Sequence, residues 1–319
     1  MRRALPLIFL ALWSQHAAAG PVLDRVKADH LVRCGAAARP GLADVAAGGW
    51  TGLAIDICRA VATAVLGAPD LVSFSYYESP AQFARAGNGE DDLAFLTGTE
   101  VQLNALAGKV LPGPAVFYET HTVVVPADSK AHNVADLANE KICVLTGSRV
   151  ERSLTNYFER RNLPLHPFPF TEDGEMVDAY EAKMCGALAY EATTLAQVLA
   201  DPGGRPSRLL SDSLATFPVM AATATRDAEW SAIVAWTVNT LIAGERPETP
   251  WYAGGAGAMP VAAPELGLDS HWQARVLAAV GHYGAIYDRH LGQDSRLHLA
   301  RGPNANQAGG GLLLAPFLE

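Results

Sequence analysis

A chain of 319 residues, half of them apolar, has enough material for one large or two medium domains with sizeable cores. It carries 24 Lys and Arg against 33 Asp and Glu, a net charge of −9 at pH 7, which makes it a poor partner for nucleic acid or anionic membrane surfaces. The partners left are small molecules and other proteins.

Arg2 and Arg3 precede an apolar run from Ala4 to Trp13, and Ala17-Ala18-Ala19 before Gly20 has the small-residue form of a signal-peptidase site. The run is shorter than the roughly 20 residues of a membrane span. Residues 1–19 are therefore expected to be an export signal, and the mature chain to be soluble and exported.

In chain order, His30 to Gly35 reads as a buried strand, followed by a loop rich in Gly, Pro and Ala up to Gly49. Ile57 to Leu66 reads as a helix stopped by Gly67, Val72 to Tyr76 as a strand and Ala81 to Ala86 as a short helix. Asp92 to Leu96 is a third strand, ending in an expected loop Thr97-Gly98-Thr99-Glu100. This β-α-β-α-β order predicts a mostly parallel sheet with helices on its faces. Ligands of such sheets lie beyond the carboxyl ends of the strands, so the loops after Cys34 and Leu96 are the ones to watch.

His121 to Pro126 is extended and β-branched, and then the pattern restarts. Helices are expected at Asn133 to Asn139, Arg149 to Arg160, Met176 to Ala182 and Thr193 to Ala200, with strands at Lys141 to Leu145 and Gly186 to Tyr190. Phe217 to Thr223 is a second extended crossing. Two α/β units joined by two extended segments predict a pair of lobes on a two-strand hinge, with a ligand held between them. Asp227 to Ala243 and His271 to Leu291 each carry one apolar face and read as helices, and Gly244 to Pro264 reads as a connecting loop.

The stretch Lys141 to Glu151 is the centre of this arrangement. An apolar strand runs into Thr146, Gly147 and Ser148 and then into a helix whose Val150, Leu154, Tyr157 and Phe158 form one stripe. Backbone N–H groups, a hydroxyl and the helix dipole converge at that start, a natural seat for a carboxylate. The alternative is a serine N-cap with nothing bound.

Cys34 and Cys58 fall early and Cys143 and Cys185 in the middle, none in a C-x-x-C pair, so disulfides are expected rather than zinc. Four cysteines allow three pairings. Cys34 with Cys58 and Cys143 with Cys185 is the pairing that leaves two lobes free to move. The chain has no G-x-S-x-G and no H-E-x-x-H. Gly254-Gly255-Ala256-Gly257 follows no strand and lacks the lysine of a phosphate loop. Nothing in the chain asks for an enzyme, a metal or a cofactor.

The runs LVRCG, GGWTGLAIDICRAVATAVLG, CVLTGSRVE, AYEAKMCGALAYEATTLA, VGHYGAIYDRHLG and LARGPNANQAGGGLLLAPF resemble the periplasmic solute-binding proteins of family 3, in particular the general L-amino acid binding proteins of ABC importers. The resemblance covers nearly the whole mature chain. It implies an α/β, two-lobed periplasmic binding protein fold of type II with a two-strand hinge and a C-terminal helical extension. The first lobe would take residues 20–122, the second 123–218, and 219–319 would return to the first. It implies a periplasmic monomer that binds an amino acid or related small polar molecule between its lobes and docks on an inner-membrane permease.

The family typically shows Asp-Val-Leu-Ser-Arg-Asn-Thr-Thr-Trp-Thr after the third strand, whose Arg holds the ligand carboxylate. Here the run is Asp92 to Val101, with Leu96 at the Arg and Glu100 at the Trp. The second-lobe Thr-Gly-Thr-Thr-Thr-Glu appears as Thr146-Gly147-Ser148-Arg149-Val150-Glu151, and the Asp that receives the ammonium falls at Glu191. An acidic residue common after Gly-Phe is Ala54. The expected ligand-binding residues are therefore Thr97, Thr99, Thr146, Gly147, Ser148, Arg149 and Glu191. Two functions follow: a transport receptor in which Arg149 supplies the charge missing at Leu96, or a non-transport descendant acting as a periplasmic sensor or accessory protein.

Overall fold

The computed structural model describes residues 20–46, 49–246 and 266–316. The expected signal peptide, the glycine run at 254–257 and most of the expected 244–264 loop lie outside them. Helix α1 (Pro21–Asp29) precedes strand β1 (Val32–Ala37), and a small hairpin of β2 (Asp44–Ala46) and β3 (Gly49–Thr51) occupies the loop that follows. Helix α2 (Leu53–Leu66) then ends at Gly67, whose φ of +81° is the left-handed conformation that favours glycine at a helix C-terminus. Strand β4 (Val72–Tyr77), a 3₁₀ turn at Pro80–Ala84, helix α3 (Arg85–Asn88) and strand β5 (Leu93–Thr97) follow.

Thr97 to Glu100 is not a loop. Thr97 is the N-cap of helix α4 (Gly98–Leu106), and its N–H donates to the Glu100 carboxylate at 2.7 Å. Thr and Glu three residues apart are the signature of a capping box, which the sequence displays.

Strand β6 (Val110–Pro126) is 17 residues long, roughly 55 Å of extended chain. Beyond it a single 3₁₀ turn, Val134–Leu137, replaces the helix expected at Asn133 to Asn139: the chain leaves the helical conformation at Ala138, whose ψ is 126°, and turns left-handed at Asn139 with φ +76°. Strand β7 (Lys141–Leu145), helix α5 (Arg149–Glu159), strand β8 (His166–Phe170), helix α6 (Asp173–Glu181), strand β9 (Ala187–Glu191) and helix α7 (Ala192–Leu199) make the second α/β unit. Strands β10 (Ser207–Leu209) and β11 (Ala215–Ala224) lead back.

Helix α8 (Ala228–Ala243) comes next. The single helix expected over His271 to Leu291 is two, α9 (Trp272–Val280) and α10 (Tyr283–His290). Gly281, at φ +86°, ends the first, and the His282 side chain caps the second by accepting from Ala285 N–H at 3.2 Å. The stripe survives the break, with Trp272, Val276, Val280, Tyr283 and Tyr287 all buried.

Nine strands form one sheet among the described residues, in the order β4-β1-β5-β11-β6-β9-β7-β8, with β10 on β6. Two parallel groups, β4-β1-β5 and β9-β7-β8, flank the antiparallel pair β11 and β6. Strand β8 is not legible in the sequence, because it contains Pro167 and Pro169. Two residues apart, they put both missing N–H groups on one side of the strand, which a terminal strand tolerates.

The cores follow the same division. One gathers residues from Val22 to Phe117 and from Val219 to Ala315, with Ala196, and a smaller cluster around Tyr77, Leu96 and Val110 covers the other side of those strands. The other unit packs Val123 to Leu210 on one face and Val124 to Leu195 on the other. Cys34 is bonded to Cys58 and Cys143 to Cys185, with Cα separations of 6.3 and 5.8 Å, so each bridge stays within one core.

Candidate ligand-binding site

The sheet register brings the site together. Val219 on β11 lies opposite Thr97 on β5, Phe217 opposite Glu119 on β6, and His121 opposite Glu191 on β9. Directly opposed residues of an antiparallel ladder share a face, as do residues two apart. Thr97, Phe217, Glu119, His121 and Glu191 therefore point to one side of the sheet, across the junction of the two lobes. Leu96, paired with Met220, points to the other side. It is 1% exposed and packs with Tyr77, Val101 and Val110, so the position matched to the family's arginine belongs to the core.

Arg149 opens α5 in the second lobe and reaches the first. Its Nη1 donates to Thr97 Oγ1 at 3.2 Å and Thr99 Oγ1 at 3.5 Å. Its guanidinium lies 5.9 Å from the centre of the Phe217 ring, a cation over an aromatic face. The structure thus joins Thr97, Thr99 and Arg149.

The helix start before Arg149 is largely satisfied by its own residues. Gly147 N–H donates to the Glu151 carboxylate at 2.6 Å, Ser148 Oγ accepts from Glu151 N–H at 3.0 Å, and Thr146 N–H donates to Phe170 O at 2.8 Å. This is a reciprocal N-cap, reinforced by an acid at the positive end of the helix dipole. The side chain of Arg149 is the part of this stretch that reaches across the junction.

Glu191, the last residue of β9, is joined to the first lobe by Arg39. Arg39 Nε lies 3.8 Å from Glu191 Oε2 and 3.5 Å from Glu119 Oε2. Thr193 Oγ1 donates to Glu119 Oε2 at 2.8 Å, and Thr120 N–H to Oε1 at 3.1 Å. Burial pushes the Glu119 carboxyl up to about 7; Arg39 opposes the rise and Glu191 adds to it. His121 Nδ1 lies 2.9 Å from Ser153 Oγ, and its ring is 4.6 Å from Phe217. Burial, with the charges of Arg149, Arg39 and Arg152, holds His121 down at about 4. It is neutral at pH 7.

Arg39, Glu119 and His121 were not among the expected site residues. Arg39 does lie in the loop beyond the first strand, one of the two singled out for ligand contact. Glu119 and His121 stand two apart at the edge of the apolar crossing, a spacing that puts both on one face of a strand. Among the described residues no group of three or more His, Cys, Asp or Glu could hold a metal ion.

Two lobes built on one sheet, crossed by two long antiparallel strands and meeting over facing charges, define the two-lobed periplasmic binding protein fold. No family model matches the chain. It is 29% identical over 323 residues to the general L-amino acid-binding periplasmic protein AapJ of Rhizobium johnstonii, covering 94% of this chain and 93% of that one. It is 28% identical over 338 residues to the glutamate/glutamine/aspartate/asparagine-binding protein BztA of Rhodobacter capsulatus, covering 97% and 96%. A solved ABC transporter periplasmic binding protein from Brucella ovis, with glutathione bound, matches with a TM-score of 0.73 at 27% identity, over 91% of this chain and 97% of that one. An ancestral arginine-binding protein shares the fold at a TM-score of 0.51 and 16% identity, over 82% and 98%. The relatives are amino-acid-binding periplasmic proteins, not enzymes, as the sequence resemblance implied.

Proposed function

We propose that this protein is a periplasmic receptor of an ABC importer that binds an amino acid between its lobes. The lobes would divide at residues 20–122, 123–218 and 219–319, with residues 1–19 as the export signal. Arg149 would hold the ligand's α-carboxylate beside Thr97 and Thr99, and Glu191 would accept its ammonium. The observation that carries this reading is the bond from Arg149 to Thr97 and Thr99, because a cation from one lobe reaching hydroxyls of the other is poised to close on a small anion. The amino-acid-binding relatives support the same reading.

A peptide ligand is a second reading, favoured by a cavity of about 320 Å³ next to Phe217, lined also by Ser153, Asn156, Arg160 and Arg161. The structurally similar protein from Brucella ovis carries the tripeptide glutathione.

A thermal-shift screen of amino acids, polyamines, small carboxylates and glutathione tests both, since a ligand at 100 times its dissociation constant stabilises by about 2.7 kcal/mol. Calorimetry on Arg149→Ala then tests the site. Loss of a charged hydrogen bond weakens binding by roughly one to two decades. Binding unaffected by the substitution would show that the carboxylate is held elsewhere. A screen with no hit would favour the sensor or accessory reading.

A further inference from the structure

Two carboxylates share one guanidinium where the lobes meet. Arg39 Nε lies 3.5 Å from Glu119 Oε2 and 3.8 Å from Glu191 Oε2, paired with both acids by charge and with neither by a well-formed hydrogen bond. The three come from separate parts of the chain: Arg39 from the turn after β1, Glu119 from the crossing strand β6 and Glu191 from the end of β9. The Arg39 backbone is held in its turn by Leu42 and Ala43 N–H groups donating to its carbonyl, each at 3.0 Å. The side chains of Arg39, Glu119 and Glu191 are 10%, 3% and 23% exposed, so Glu191 is the acid that a ligand can touch and Glu119 is sealed from it.

With both acids ionised this cluster is one positive charge short, and burial makes the shortfall costly. The other cations of the junction have acids of their own. Arg149 donates to the hydroxyl of Thr97, whose N–H donates to the Glu100 carboxylate, and Arg152 donates to the carbonyl of Gly147, whose N–H donates to the Glu151 carboxylate. Arg301, which lines a cavity with Glu119, is forked onto Glu245 at 2.8 and 3.0 Å. His121 is neutral at pH 7, and Tyr287, packed from α10, is pushed up by burial and stays neutral as well. A proton on Glu119 supplies the missing charge in the free protein, and burial pushes its carboxyl up to about 7.

We infer that Arg39 and Glu119 complete the ammonium site at Glu191, and that the ligand's ammonium enters in exchange for a proton. This rests on the receptor reading above, in which Glu191 accepts the ammonium. Once Glu191 has the ammonium as its partner, the charge of Arg39 is left to Glu119, and the added positive charge close by favours the carboxylate form. The Glu119 proton leaves to solvent, while the Thr193 hydroxyl and Thr120 N–H remain to hold the carboxylate. The cluster therefore keeps the same charge with the ligand as without it. Arg39 acts in this as a positioning residue, holding one acid from the crossing strand against one from the second lobe.

Calorimetry of the native protein with the tightest-binding of the common L-amino acids tests it, run in pairs of buffers that take up a proton with different enthalpies. In Pipes and imidazole at about pH 6 the two enthalpies should differ by the equivalent of more than about half a proton released per ligand, and in a matching pair at about pH 8 they should nearly agree. Affinity should rise roughly fivefold to tenfold between about pH 6 and 7.5. Glu119→Gln, which keeps the shape and cannot titrate, should bind with one enthalpy in both buffers and with an affinity that stays flat over that range. Arg39→Gln should leave more of the proton in place, and Arg39→Lys, which restores the charge, should return the release. A merely structural role for either residue would change affinity in the variants without changing the proton count. Native binding with no proton released at about pH 6, or undiminished release in folded Glu119→Gln, overturns the inference and leaves the receptor reading intact. If no common L-amino acid binds, both fall.

Discussion

Glu119→Gln keeps the shape of the side chain and its bond from Thr193 while removing the charge. The Glu119 carboxyl is pushed up from 4.5 to about 7 in the folded protein. Between those values the unfolded chain has released the proton and the folded chain still holds it. The stability Glu119 contributes is therefore full below about pH 4.5 and is lost as the pH rises through 7, a change on the order of 3 kcal/mol. His121 runs the other way. Held down from 6.5 to about 4, it contributes stability that is present above pH 6.5 and lost as the pH falls toward 4, again on the order of 3 kcal/mol. In the native protein the two slopes oppose each other between about pH 4.5 and 6.5; in the variant only the histidine slope remains. Urea unfolding of both proteins at about pH 4.5, 5.5, 6.5 and 7.5 separates them, because other titrating groups cancel in the difference. The native-minus-variant stability should fall by on the order of 3 kcal/mol from the lowest to the highest pH. A difference that does not change with pH would refute the reasoning and show that Arg39 and Thr193 keep Glu119 ionised throughout.

Leu96→Arg should destabilise the first lobe by at least about 3 kcal/mol, since it puts an unpaired charge among Tyr77, Val101 and Val110; an unchanged melting temperature with gained amino acid affinity would show that position 96 reaches the site after all. If ligand closes the lobes, His121 to Val125 and Phe217 to Ala221 should take up the rotation, and small-angle scattering should show compaction on adding the best ligand from the screen. Unchanged scattering with ligand bound would leave the strands rigid and favour the accessory reading. Non-reducing peptide mapping should recover Cys34 with Cys58 and Cys143 with Cys185, and any link between the two pairs would contradict the separate cores.

Much of this protein is legible along the chain because it is local. Apolar runs such as Ile142 to Leu145, the stop at Gly67 and the stripe from Val150 to Phe158 depend on residues within a turn or two of each other, and the structure keeps them. The errors are local as well. Thr97 with Glu100 is a capping box in a stretch whose composition suggests a loop, and Gly281 breaks a helix whose apolar rhythm continues across the gap. The site is of another kind. Leu96 and Thr97 are neighbours in sequence, yet the pleat sends them to opposite faces of β5, and only the pairing of β5 with β11 says which face meets the second lobe. Arg39, Glu119 and Glu191 are separated by 80 and 72 positions in the chain, and no pattern within any one segment announces that they share a charge. Their meeting is decided by strand register and by the return of the chain through β11. The sequence by itself determined most of the elements, the two α/β units and the family resemblance, since these rest on short-range periodicity and ordered motifs. Which charges face one another was decided only by the tertiary structure, because electrostatic partners are chosen by distance in space.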